Sequence, residues 1–120
     1  MANCEKHAIQ AKHNMALFSK LDSMISEDDP FNDWKATILF YTAMHSIHSF
    51  LAINDIHIQT HAKLIDSLVD YRELRMFWRD YQSLYSLSKR SRYYCCQIKD
   101  SEVEKAKQKV KNIYKQLIGA

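Results

Sequence analysis

The chain has 120 residues, of which 47% are hydrophobic and 26% charged, and its formal net charge is +3. A chain of this length can bury a hydrophobic core without disulfides or a metal. Its single Gly and single Pro exclude multi-hairpin β folds, Walker-type phosphate loops, dinucleotide fingerprints and nucleophile elbows, because all of these need glycine. We therefore expect one all-α domain over residues 1–120, a compact bundle of four to five helices.

The N-terminus and the cysteines indicate the compartment. Residues 1–12 contain no apolar segment of the kind found in secretory signals, so we expect a cytoplasmic protein with reduced thiols. Adjacent Cys95 and Cys96 lack the spacing of a redox or zinc pair. Acidic residues concentrate in 1–33 and basic residues in the remainder, an asymmetry that permits an anionic partner.

Two helices are predicted in the first half. The first runs from Cys4 to Ser26, because five apolar residues repeat at helical spacing: Ala11, Met15, Phe18, Leu21 and Ile25. The second runs from Pro30 or Asp33 to Ile53, with Asp29-Pro30 as its start signal. It carries no charge from Ala36 to Asn54, and its His, Ser and Thr residues favour a buried central helix over a membrane span.

Three helices are predicted in the second half. The third covers His61 to Asp70, capped by Thr60, with four residues facing inward: Leu64, Ile65, Leu68 and Val69. The fourth covers Tyr71 to Tyr94, and its predicted buried side consists of Leu74, Phe77, Trp78, Tyr81, Leu84 and Tyr85. The fifth is capped by Asp100 or Ser101, ends at Gly119, and has a core stripe of Val103, Ala106, Val110, Ile113 and Leu117.

The fourth helix also carries a row of polar side chains at intervals of three or four: Arg72, Arg75, Arg79, Gln82, Ser86 and Lys89 or Arg90. Such a row fits phosphate binding, with aromatic side chains to stack bases. It equally fits a solvated face whose arginines pair with Asp70, Glu73 and Asp80. The segment Lys89–Tyr94 also allows two interpretations, because basic residues at a helix end either bind phosphate or complement the helix dipole.

The histidines form a second set of candidates. His45 and His48 lie on one stripe of the second helix with Trp34, Ile38 and Tyr41, and His57 and His61 are one helical turn apart. Paired histidines can bind zinc. No HExxH or CxxC motif accompanies them, so we expect hydrogen-bonded core histidines, with no metal and no other cofactor.

Several of these residues occur in an order that resembles a known family. Trp34, then Phe40-Tyr41-Thr42-Ala43-Met44-His45, then His61, then Ser91-Arg92-Tyr93-Tyr94 are similar to the motifs of the small HEPN (higher eukaryotes and prokaryotes nucleotide-binding) domains. Active HEPN ribonucleases carry an Arg followed four to six residues later by a His. That motif is absent, because every His lies at or before His61 and every Arg at or after Arg72.

The resemblance implies a non-catalytic HEPN-like module that binds RNA or a nucleotide, for example in a toxin-antitoxin or defence system. The expected binding residues are Tyr41, His45, His61, Arg90, Arg92 and Tyr93. It also implies a homodimer and a nucleotidyltransferase or other protein partner. Two alternatives stay open: a divergent metal-independent ribonuclease or nucleotide-modifying enzyme using His45, His61 and Arg92, and a protein–protein interaction subunit without a nucleic-acid ligand.

Overall fold

Five α-helices and one 3₁₀ segment form the computed structural model, which describes residues 4–24, 30–94 and 96–119. The helices are α1 (Cys4–Ser23), α2 (Asn32–Ile53), α3 (His61–Asp70), α4 (Trp78–Arg92) and α5 (Asp100–Leu117), with the 3₁₀ segment at Arg72–Phe77. Those residues contain no β-strand. The predicted all-α bundle of four to five helices is confirmed.

The central element is α2, which packs against α1, α4 and α5. Leu39, Ala43, Ile47 and Leu51 recur every four residues along it and are completely buried, so they form one continuous core face. Within the described residues, α2 alone is long and apolar enough to cross a membrane by length and composition, and half of that stretch is buried inside the bundle. Its apolar character therefore has a sufficient explanation in the core.

The start of α2 differs from the prediction. The helix begins at Asn32, after Phe31, whose φ of 56° is left-handed and whose side chain does not cap the helix. The buried Asn32 amide instead donates to the Ile98 carbonyl at 3.0 Å and to the Asp100 carboxylate at 2.7 Å. The prediction of Asp100 or Ser101 as the cap of α5 is wrong, because Lys99 holds that position without a side-chain cap. The predicted Asp29 signal and the predicted end of the first helix lie outside the described residues.

The prediction for α3 is confirmed in its bounds and in its cap, since the Thr60 hydroxyl accepts a hydrogen bond from the Lys63 N–H. Leu64 and Leu68 are buried as expected. Val69 was predicted to face inward, and this is wrong, because it is 51% exposed. α3 packs on the 3₁₀ segment and touches α4 less, so only a narrow side of it reaches the core.

The prediction of one continuous helix from Tyr71 to Tyr94 is also wrong, because Arg72–Phe77 forms a 3₁₀ segment before α4. Trp78, at the junction, is 40% exposed instead of buried. The change of helix type breaks the predicted row of arginines into two short parts. In the described residues no ion pair joins this row to Asp70, Glu73 or Asp80, and Arg75 donates to the Val69 carbonyl.

Candidate functional site

The end of α4 places a guanidinium on a group of aromatic rings. The Arg92 Cζ lies 5.6 Å from the centre of the Phe40 ring, 5.4 Å from that of Tyr41 and 4.8 Å from that of Tyr93. Its Nη1 donates to the Tyr41 hydroxyl at 2.8 Å and to the Tyr93 hydroxyl at 3.3 Å. These distances are those of cation–π contacts supplemented by hydrogen bonds.

Local sequence explains why Arg92 reaches α2. The Arg92 Nε–H donates to the carbonyl of Ser88, one turn earlier in α4, and this bond directs the side chain along the helix. The hydroxyls of Ser91 and Thr37 are 3.2 Å apart. The last turn of α4 is therefore held against α2, one turn before Tyr41.

His61, the first residue of α3, joins this group through Phe40, whose ring centre lies 6.0 Å from its own. Its ring centre is 3.8 Å from that of Tyr85, and its Nδ1 is 3.3 Å from the Tyr81 hydroxyl. Burial lowers the pKa of His61, and the positive charges of Lys89 and Arg92 lower it further. Burial raises the pKa of Tyr81, so its hydroxyl stays protonated and can donate to Nδ1. In that tautomer the buried His61 Nε2 carries a hydrogen with no partner in the described residues.

Two cations and no carboxylate belong to this group. The Lys89 Nζ lies 4.5 Å from the centre of the Tyr85 ring. Among the described residues, neither Lys89 nor Arg92 forms an ion pair. We call the group the Arg92 cluster and define it by Phe40, Tyr41, His61, Tyr81, Tyr85, Lys89, Arg92 and Tyr93. Its net positive charge and exposed Tyr93 ring suit an anion that carries an aromatic group.

Four of the six predicted binding residues meet in the Arg92 cluster: Tyr41, His61, Arg92 and Tyr93. Arg90 lies elsewhere, because Nη1 donates to Glu102 Oε2 at 2.6 Å and Nη2 to Oε1 at 3.4 Å. The hydrogen bonds from Arg90 lower the pKa of the Glu102 carboxyl. Arg90 thus has its own counter-charge and lines a groove of about 240 Å³ between α4 and α5.

His45, the sixth predicted residue, faces α1 instead. Its Nδ1 is 3.0 Å from Nδ1 of His7, and the His7 ring stacks on His48 with centres 4.9 Å apart. Burial lowers the pKa of His45, and the charge of His7 lowers it further. His45 and His61 therefore belong to different places, and they do not act together on one ligand.

Sequence reasoning missed His7 and Tyr85 as site residues, and it named Lys89 only within the polar row of the fourth helix and the segment Lys89–Tyr94. Tyr85, Lys89 and Arg92 follow one another at intervals of four and three, so a signal for their common face was present in α4. His7 had no such signal, because it meets His45 across 38 residues of sequence.

The described residues contain no group of three or more His, Cys, Asp or Glu side chains arranged to hold a metal ion. The chain matches no protein-family model, and the comparisons with curated proteins and with solved structures likewise find no match.

Proposed function

We propose that the protein is a non-catalytic HEPN-like module that binds RNA or a nucleotide through the Arg92 cluster. One observation carries the proposal: the partly buried Arg92 guanidinium lies on three aromatic rings and has no carboxylate partner among the described residues. A partly desolvated cation without a counter-charge favours an anionic ligand, and arginine matches the geometry of phosphate oxygens.

The remaining hydrogen-bonding capacity of Arg92 supports a phosphate ligand. Its Nε and Nη1 donate within the protein, whereas Nη2 makes no hydrogen bond inside the described part of the chain. Two N–H groups are thus available to a ligand. Tyr93 is 65% exposed beside them, and an exposed ring can stack on a base next to a bound phosphate.

Fluorescence anisotropy with a labelled single-stranded RNA of mixed sequence and with a labelled adenine nucleotide tests the proposal. We expect Arg92→Gln to weaken binding by about tenfold or more, because a charged hydrogen bond contributes about 1.5–3 kcal/mol. Arg79→Gln is the matched control, since it removes the same charge from an exposed position of α4 and should retain most of the affinity. Equal affinity of wild type and Arg92→Gln would contradict the proposal.

A divergent ribonuclease is the second candidate, because the neutral His61 lies within electrostatic reach of Lys89 and Arg92. A neutral imidazole can accept a proton, and cations stabilise charge on phosphate. The burial of Nε2 and the position of His45 favour binding over this chemistry. Cleavage of RNA that is lost in His61→Phe would reverse the preference.

The homodimer and the cytoplasmic location that accompany this proposal remain predictions, as does the nucleotidyltransferase partner. Size-exclusion chromatography with light scattering gives the mass directly. Absorbance at 260 nm in excess of the protein contribution, lost at high salt, would support a bound nucleic acid held by phosphate contacts.

A further inference from the structure

Four histidines from three segments meet between α1 and the second half of α2. We call them the histidine cluster: His7 of α1, His45 and His48 of α2, and His57 of the segment that follows α2. The His7 ring centre is 5.2 Å from that of His45 and 4.9 Å from that of His48. With Met44, Ile56 and Ile58 these four side chains line a cavity of about 230 Å³.

The two halves of α1 are attached to the bundle by different interactions. At its start, the Cys4 carbonyl accepts a hydrogen bond from the Ser49 hydroxyl at 3.3 Å, and His7 contacts the two histidines of α2. Farther along, Phe18 is buried in the core and Asp22 pairs with lysines of α2 and α5. The first half of α1 is therefore attached through imidazoles, whereas the second half is attached through a buried aromatic ring and a carboxylate whose pKa is lowered from its usual value.

Among the residues that the structure describes, no carboxylate is placed to neutralise the centre of the histidine cluster. The neighbouring group whose electrostatic interaction lowers the pKa of His7 is His57. For His48 the corresponding groups are His7 and His45. Asp55 lies 3.3 Å from the Nε2 of His57, but its side chain is 97% exposed. Glu5 lines a different cavity with Tyr114 and Ile118 of the α5 end, and Lys6 is exposed.

The observed packing of His7 on His45 is incompatible with protonation of both rings. The 3.0 Å contact between the Nδ1 atoms of His7 and His45 is a hydrogen bond only if one ring donates and the other has an unprotonated Nδ1. Burial, followed by the neighbouring histidines, lowers the pKa of His48 to about 4. Burial also lowers the pKa of His7 and of His45, so these three imidazoles are uncharged at neutral pH.

We propose that the first half of α1 is an acid-sensitive latch, docked on α2 while His7, His45 and His48 are neutral and released when these imidazoles become protonated. Release separates like charges that would otherwise lie about 5 Å apart. It also uncovers one side of α2, the helix without charged residues between Ala36 and Asn54.

The direction of the pH effect follows from proton linkage. The docked state holds the three shifted imidazoles at a pKa below 6.5, so the released state binds more protons between that value and the docked pKa values. Docking is therefore fully stable above pH 6.5 or so and weakens as pH falls toward about 4. A shift of one pKa unit in one group corresponds to about a tenfold change in the docking equilibrium.

Hydrogen exchange of the wild-type chain, expressed as protection factors, tests the latch. We expect protection of residues 4–14 to fall by about tenfold or more between pH 7 and pH 5, while protection of α5 stays nearly constant. An equal loss in α5 would indicate global unfolding, and constant protection of residues 4–14 would show that no release occurs. Either result would overturn the proposal.

Variants and a direct titration complete the test. His45→Phe combined with His48→Leu should remove most of the pH dependence of residues 4–14, whereas His13→Phe, at an exposed position of α1, should retain it. NMR titration of the wild-type imidazoles gives an outcome that does not require a folded variant. Values of 6.5 or higher for His7, His45 and His48 would contradict the latch.

Discussion

Arg90 and Arg92 are two residues apart in α4, and they lie on different sides of the helix. A helix turns about 100° per residue, so the two side chains diverge by about 200°. Arg90 meets Glu102 of α5, and Arg92 meets Tyr41 of α2. Arginine thus forms an ion pair at position 90, whereas at position 92 it has no carboxylate partner among the described residues.

Asn32 allows a test of stability at the scale of one residue. Its side chain donates to Ile98 and Asp100, so it connects the start of α2 to the start of α5. We expect Asn32→Ala to lower the free energy of unfolding by about 1–3 kcal/mol, because a buried carbonyl and a carboxylate lose their donor. Urea denaturation measures this loss.

Asn112→Ala is the control for Asn32→Ala. Asn112 is exposed on α5, so its replacement should change stability by no more than about 0.5 kcal/mol. Equal effects of the two variants would mean that the hydrogen bonds of Asn32 contribute nothing of their own.

The end of α2 shows how an element terminates without glycine. The Ile56 N–H donates to the Leu51 carbonyl at 2.8 Å and the Asp55 N–H to the Ala52 carbonyl at 3.0 Å, which is the pattern of a Schellman motif. Asp55 occupies the left-handed position with φ of 57°, where glycine is usual. The missing glycine signal did not prevent the prediction of Ile53 as the last helical residue, because polar Asn54 and Asp55 interrupt the apolar run.

Asp55→Gly should therefore raise stability. Relief of the left-handed strain exceeds the added freedom of the unfolded chain by about 0.5–1 kcal/mol, and the exposed contact with His57 contributes little. Thermal unfolding measures the gain. Asp55→Ala removes the same carboxylate but keeps the strain, so it should not be more stable than wild type. A gain in both variants would assign the effect to charge instead of to φ.

At the scale of the whole molecule, Asp22 joins three helices. Its carboxylate lies 3.0 Å from Lys107 of α5 and 3.6 Å from the buried Lys35 of α2. The hydrogen bond from Lys107 lowers the pKa of Asp22. Because this pKa lies below the unfolded value, the pair stabilises the bundle above about pH 4 and loses its effect as pH falls further.

Asp22→Asn should lower the free energy of unfolding by about 1–2 kcal/mol, less than the loss at a fully buried pair, because Asp22 is partly exposed. The variant leaves Lys35 buried without its counter-charge. Glu104→Gln is the control, since Glu104 is 62% exposed and 4.0 Å from Lys107, and it should be nearly neutral in denaturant unfolding. Unchanged stability in Asp22→Asn would show that Lys35 needs no counter-charge.

The sequence by itself determined the helical class, the bounds of α3 and the core stripe of α5. These features are local: helical spacing of apolar residues and a Thr60 cap act within one or two turns. The 3₁₀ segment and the exposure of Val69 and Trp78 were not predictable in this way, because apolar spacing shows which residues share a face but not which face finds a neighbour.

Only the tertiary structure decided which site residues meet. Tyr41 and Arg92 form a hydrogen bond although 51 positions separate them in the sequence, and His7 and His45 do so across 38 positions. Arg90 instead donates to Glu102. Such contacts depend on the rotation and crossing of packed helices, and differences of one residue in register move a side chain by about 100°. The sequence thus supplied the cations, aromatic rings and imidazoles, whereas helix packing divided them between the Arg92 cluster and the histidine cluster.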